Sequence, residues 1–341
     1  MVCSFSALDD YFSVPRAPVV FSWFDGGMVE LARSHGNLSY PGLPYADASD
    51  DSAEPRIRYV CSDGDWKPAY RPLGLIHDAD RKLYRATGGV YEALREPKPS
   101  PAPAEPAQIL FEAAVLASRY DFQPDTDGAQ VPALADPAWQ RDLLDLIVTG
   151  RRPERGLELL RESGFLGRYW PELASLAGVD HVKDYHPEGD VWRHTMETFS
   201  HRKEPGLILS LALLLHDSGK PDAVANEGRR FDRHSELGER TAKSFLGRLG
   251  YPPAIVDQVA FLVRYHMLPS ALPRIPPSAL EGVLDHPGFP TLLELNRCDE
   301  LSTFRGPDGY YEACAAYKAY LKNRKNRFRN SDGKKRPVAR D

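Results

Sequence analysis

Closely spaced cysteines are missing from this chain. The four it has, Cys3, Cys61, Cys298 and Cys314, lie far apart and form no CxxC pair. That excludes a disulfide framework and a thiolate zinc site, and it reads as free thiols in a reducing compartment. Long apolar runs are missing too. The longest, residues 207–215, is far too short to cross a bilayer, so no membrane partner is expected. Residues 1–25 have no basic stretch followed by an apolar core, so a secretory signal is not expected either. No internal repeat is visible. The formal charge of -5 over 341 residues is mild and selects no partner. These absences leave a cytoplasmic protein as the simplest expectation.

What is present is ordinary globular composition, 42% hydrophobic and 27% charged, at a length that suits two or three domains. Residues 1–96 mix short β-rich pieces with turns. Segments 18–21, 57–60 and 73–76 read as strands, 29–33 and 90–95 as short helices, and 40–55 as an acidic loop. Residues 97–107 hold a proline-rich run that neither a helix nor a sheet ladder can carry, and form a linker. Beyond it the pattern is helical: 108–120, 137–148 and 153–163, the last stopped by Gly164. Residues 108–180 form a helical neck, and 181–317 a helical bundle. Residues 318–341 form a basic tail with Tyr320 and Phe328 interleaved. Such a tail suits RNA phosphates or simple solvation. The fold class expected is mainly α, with a small α/β region at the start.

Six residues from five segments are good ligands for a hard or borderline metal: His194, His216, Asp217, His234, His266 and Asp299. The apolar run 207–215 is hydrophobic on all sides and ends in His216-Asp217. A His-Asp pair at the end of a buried helix is costly unless a partner satisfies it. A metal would do so, and so would a plain His-Asp hydrogen bond. Ile255, Val259, Leu262 and Val263 form an inward stripe that His266 extends. Leu292 and Leu295 share a face with Asp299, and His194 follows Val191 by three residues. His234 opens a helix and has no phase to argue from. Imidazoles and carboxylates without thiolate suit one or two divalent ions from Mn, Fe, Mg, Ni, Co or Zn. Asp217 would bridge two ions and serve catalysis. Lys220, one short turn on, is either a substrate-binding and catalytic group that meets a phosphate or a solvated lysine. The chemistry implied is hydrolysis of a phosphate ester by metal-held hydroxide.

His194, His216-Asp217 and Asp299 resemble the HD superfamily of metal-dependent phosphohydrolases, with His234 and His266 matching its dinuclear members. The run His186-Pro187-Glu188-Gly189-Asp190-Val191-Trp192-Arg193-His194-Thr195 is similar to the HPEGDVWxHT segment of bacterial CCA-adding tRNA nucleotidyltransferases that carry an HD domain. Residues 159–166 and 170–173 resemble the stretch before it, so the likeness covers roughly residues 108–305. Residues 1–96 depart from that family. Gly26-Gly27 lacks a following Arg-Asp, Asp63-Gly64-Asp65 comes too late in the chain, and Asp47, Asp50 and Asp51 lie outside any apolar strand. That region reads as a degenerate nucleotidyltransferase head, and its His77-Asp78 pair as a turn.

The resemblance implies a phosphohydrolase, that is a phosphatase or phosphodiesterase, acting on nucleotides, cyclic nucleotides or RNA ends. Two alternatives stay open: a tRNA nucleotidyltransferase-like RNA-processing protein, or an RNA-binding scaffold with a structural metal site.

Overall fold

The structure is a computed structural model. It describes strands between residues 2 and 87, and residues 106–119, 126, 128–135, 137–179, 189–225, 233–303 and 306–336. The chain forms two compact units, residues 1–117 with 121–130, and 118–120 with 131–341.

In the first unit, β1 (Val2–Ser4), β2 (Val20–Phe24), β3 (Met28–Ser34), β4 (Asn37–Ser39), β5 (Ile57–Ser62), β6 (Asp65–Pro68), β7 (Gly74–Asp78) and β8 (Leu83–Thr87) pair antiparallel. They make a five-stranded sheet of order β4-β3-β2-β5-β6 and a three-stranded sheet of order β1-β8-β7. The three expected strands are present, near their expected positions. Residues 29–33 are a correction: they lie in β3, paired with β2 from Val20↔Ala32 to Phe24↔Met28, and not in a helix. Five residues are too few to fix a period, and hairpin pairing overrides a weak local preference. His77 and Asp78 end β7 opposite Tyr84 and Leu83, so they are strand residues and not a turn. Gly26-Gly27, Asp63, the acidic segment 40–55, the helix expected at 90–95 and residues 97–105 of the linker lie outside the described residues.

Helix α1 (Pro106–Arg119) follows, and the second unit is helical. Its helices are α2 (Pro137–Val148), α3 (Pro153–Glu162), α4 (Phe165–Tyr169), α5 (Pro171–Ala174), α6 (Val191–Thr198), α7 (Leu207–Leu215), α8 (Lys220–Ala225), α9 (His234–Arg248) and α10 (Pro253–Tyr265). The last four are α11 (Leu268–Ala271), α12 (Glu281–Leu284), α13 (Phe289–Leu301) and α14 (Asp308–Arg324). The chain is thus mainly α, as its periodicity implies. No helix among the described residues is long and apolar enough to cross a membrane.

Helix α7 is the axis of this unit. It is apolar on every face, buried from Leu209 to Leu215, and surrounded by α2, α6, α9, α10 and α13. Arg202 fastens the start of α7 to the end of α2. Its guanidinium donates to the carbonyls of Val148 at 2.6 Å and Gly150 at 2.8 Å, and to the Ser210 hydroxyl. The Val148 carbonyl closes α2 and the Gly150 carbonyl follows just past it, at the negative end of the helix where a cation is favoured.

A second fastening, Tyr251 against Asp145 of α2, is pH-sensitive. Burial raises the Asp145 carboxyl from 3.8 to about 6, although the Tyr251 hydroxyl donating to it pulls the other way. The folded value lies above the unfolded one, so this contribution to stability is complete below pH 3.8 and is lost as pH rises through about 6. A displacement of that size is worth up to about 3 kcal/mol at neutral pH, and partial exposure reduces it to about 1–2 kcal/mol. Asp145→Asn keeps an acceptor for Tyr251. Urea unfolding of this variant should lack the wild-type fall in stability between pH 4 and pH 7; an identical fall in both proteins would assign it to other groups.

Candidate metal centre

Every ligand expected from the sequence is brought to one place, and the ends of helices do the placing. His216 and His266 occupy the positions that close α7 and α10. The last carbonyls of a helix have no partner within it. Each ring uses one: His216 Nδ1 donates to the Leu213 carbonyl at 2.7 Å, and His266 Nδ1 to the Val263 carbonyl at 2.7 Å. Asp299 lies in the last turn of α13, which Ser302 closes. The Ser302 hydroxyl donates to the Asp299 carbonyl at 2.7 Å, so its oxygen is left to accept from His194 Nδ1 at 3.2 Å. Three helix C-termini thus meet at the cluster, each adding negative potential that favours a cation.

His194 comes from α6. Asp190 starts that helix by accepting the Arg193 amide at 2.9 Å, and its other oxygen accepts the Gly178 amide at 2.9 Å. Gly189 precedes it at φ +105°, a conformation that favours glycine. Gly189 and Asp190 of the sequence motif are therefore supports for the helix that carries His194. His186, Pro187 and Glu188 lie outside the described residues. His234 is the first residue of α9, entered through Arg233 in the left-handed region at φ 60°.

Because Nδ1 of His194, His216 and His266 is each engaged by one of these oxygens, it is the Nε2 atom of each ring that faces inward. Those nitrogens converge on acceptors. His194 Nε2 lies 2.9 Å from Asp299 Oδ1 and 3.4 Å from His216 Nε2. His234 Nε2 lies 3.1 Å from His266 Nε2. Asp217 stands between the two groups. Its Oδ2 is 3.3 Å from His216 Nε2 and 3.9 Å from His194 Nε2, while its Oδ1 is 3.7 Å from His234 Nε2 and 3.8 Å from His266 Nε2. Two candidate metal groups result, His194–His216–Asp217 and Asp217–His234–His266, each with its ligating atoms within 4.8 Å of one another. Asp217 is the member they share. Lone pairs packed this closely repel unless a proton or a metal cation lies among them, so the donor set fits a divalent ion.

The charges agree. Burial drives the His266 imidazolium down to about 4, with His216 adding to the effect, so the ring is neutral at pH 7 as a ligand must be. Burial also pushes the Asp217 carboxyl up, but Lys220 and His216 hold it well below the usual range, and it is ionised. Asp299 behaves likewise, with His194 and His216 outweighing burial. Lys220 is not a solvated lysine. It is buried, and its Nζ donates to Asp217 Oδ2 at 2.6 Å. The cluster opens toward solvent at Asp299 and His234, whose side chains are 19% and 13% exposed against 1–2% for His194, His216, Asp217 and His266.

The sequence reading missed Ser302 and the contact between Gly219 and α9. A Cβ on Gly219 would stand 2.1 Å from the His234 carbonyl oxygen and 2.4 Å from the Gly238 nitrogen. The loop after Asp217 therefore touches the first turn of α9, which brings His234 to the cluster. The one available signal was the glycine immediately after His216-Asp217-Ser218.

No family model matches the chain. It is 30% identical over 211 residues, 57% of its length, to the multifunctional CCA protein of Neisseria gonorrhoeae strain NCCP11945, covering 50% of that protein. It is 32% identical over 194 residues, 51% of its length, to the multifunctional CCA protein of Burkholderia pseudomallei strain K96243, covering 44% of that protein. The chain spans about half the length of the curated relatives it matches, and the similarity supports a relationship to CCA proteins.

Proposed function

We propose that this chain is an HD-type metal-dependent phosphohydrolase that acts on nucleotides, cyclic nucleotides or RNA ends. The observation that carries the proposal is the position of Asp217, with one oxygen toward His194 and His216 and the other toward His234 and His266. His194, His216, Asp217 and Asp299 would hold one divalent ion, and Asp217, His234 and His266 a second, from among Mn, Fe, Mg, Ni, Co or Zn. Bound there, such ions supply Lewis acidity toward a phosphoryl group and acidify water. The protein's own part is fixed geometry. Carbonyls at helix ends hold the rings of His216 and His266, the buried floor excludes bulk water, and Asp299 and His234 line the open side. Lys220, which donates to Asp217 Oδ2, would be the side chain that meets a substrate phosphate beside that carboxylate.

A second reading is a tRNA nucleotidyltransferase-like RNA-processing protein, and the similarity to multifunctional CCA proteins over about half the chain favours it. The two readings are compatible if the substrate is an RNA end. Two assays on the full chain separate them. Phosphate release from a panel of nucleotides, cyclic nucleotides and phosphorylated RNA ends, dependent on added metal, supports the hydrolase. Incorporation of CTP or ATP into a tRNA lacking its end, lost on changing Asp63 and Asp65 to alanine, supports the transferase. Tight RNA binding with neither activity overturns both in favour of a scaffold.

A further inference from the structure

Residues 318–336 of the expected basic tail are folded. Helix α14 runs through position 318 to Arg324. Tyr320 is buried and its hydroxyl donates to Asp285 Oδ1 at 2.6 Å, so it cannot serve as an exposed stacking ring. Beyond the helix, residues 326–336 close a tight hairpin. The Asn330 amide donates to the Lys334 carbonyl at 2.9 Å, and the Arg336 amide to the Phe328 carbonyl at 2.9 Å, with a bridge between Arg329 and Lys335. Asn330 Oδ1 accepts the Lys334 amide at 2.8 Å, and Asp332 anchors the turn by accepting the Ser278 amide at 2.8 Å.

This ordered element carries nine basic side chains and one acid between residues 318 and 336, in a chain that is acidic overall. Arg324 is paired with Asp285. Lys318, Lys322, Lys325, Arg327, Lys334 and Lys335 are exposed and form no ion pair among the described residues. Lys318, Leu321, Lys322 and Lys325 follow helical spacing and share one face. Just past the helix in the chain, Phe328 is 65% exposed, with the Arg327 guanidinium 4.6 Å from its ring centre. A large exposed ring among unpaired cations, on a hydrogen-bonded turn, offers a stacking plane and phosphate contacts at little ordering cost.

We infer that the α14–hairpin surface binds single-stranded nucleic acid, with Phe328 stacking an unpaired base and the exposed lysines of the helix and the hairpin meeting the backbone phosphates. This goes beyond the hydrolytic reading and does not depend on the metal centre. The test is fluorescence anisotropy with the full chain in chelator, using labelled single-stranded RNA and DNA 12-mers, a duplex of the same sequence, and anionic phosphatidylserine vesicles across a salt series. Binding of the single strands is expected to weaken about tenfold in Phe328→Ala. The Lys334→Gln/Lys335→Gln double variant should reduce the salt slope by roughly one. Both variants are surface changes whose folding is checked by far-UV circular dichroism. RNA and DNA binding alike identify the shared chemistry, and preference for RNA names the source. Absence of single-strand binding at low salt, equal binding by wild type and Phe328→Ala, or Phe328-independent binding to duplex or vesicles would each overturn the inference.

Discussion

Asp217→Ala should release no measurable phosphate from any substrate the wild type hydrolyses, and excess substrate should not restore it. The expectation follows from where the carboxylate stands. It is the one group shared by both candidate metal groups, with an oxygen toward each. Removing it unties four imidazoles from one another and leaves Lys220 as a buried cation without its 2.6 Å partner. Losing a group that only orients a ligand lowers activity about 10–100-fold, and the loss here should exceed that. It should fall on kcat and not on KM alone, because what disappears is interaction made in the transition state. Asp217→Asn is the informative companion. It keeps the shape and one acceptor but not the charge, so it should fold like the wild type and still be inactive. An Asp217→Ala protein with near-normal turnover and undiminished metal would make the cluster structural.

Gly219→Ala should be the most destabilising single methyl that can be added near the site. The new Cβ meets backbone on two sides, the His234 carbonyl oxygen at 2.1 Å and the Gly238 nitrogen at 2.4 Å, and backbone cannot swing aside as a side chain can. The loop after Asp217 and the start of α9 must part, at a cost of about 3 kcal/mol or more. Because His234 and Asp217 lie on the two sides of that contact, His234 should be the member of the candidate metal groups that is displaced. Gly238→Ala provides a graded control. Its nearest neighbour is the Val263 Cγ1 methyl at 3.1 Å, which can shift, so the penalty should be about 1 kcal/mol. Gly247→Ala, with nothing within 4 Å on the exposed side of the same helix, should be neutral or mildly stabilising. Chemical denaturation of the three variants reads this order directly. Equal stability of Gly219→Ala and Gly247→Ala would show that the loop and α9 are not in contact.

How much of this was legible before the structure depends on the length over which a pattern repeats. Helix α7 was plain because a run of nine residues with Ser210 its one polar member fits a core and little else. The inward phase of His266 and Asp299 was legible because each extends an apolar stripe by whole turns. His234 had no such stripe. Its place depends on a left-handed residue before it and on Gly219 against the first turn of its helix, contacts between segments far apart in sequence. Ser302 was invisible for a similar reason. A serine closing a helix is common, and only the fold brings it to His194 Nδ1. Residues 29–33 were misread because five residues carry too little periodicity to outweigh pairing with β2. The basic run after 318 looked like a tail from composition alone, but Tyr320 is buried against Asp285 and a hydrogen-bonded turn follows.

The claim that the cluster is a two-metal hydrolytic site is tested most directly by stripping the full chain with chelator and restoring manganese stepwise, while bound metal and phosphate release are followed together. The account predicts no turnover in the stripped protein and a rise to a plateau as occupancy reaches two ions per chain. His234→Ala should stop at one ion and remain inactive. Full phosphate release by the stripped protein, or two ions bound by His234→Ala with unchanged turnover, would contradict it.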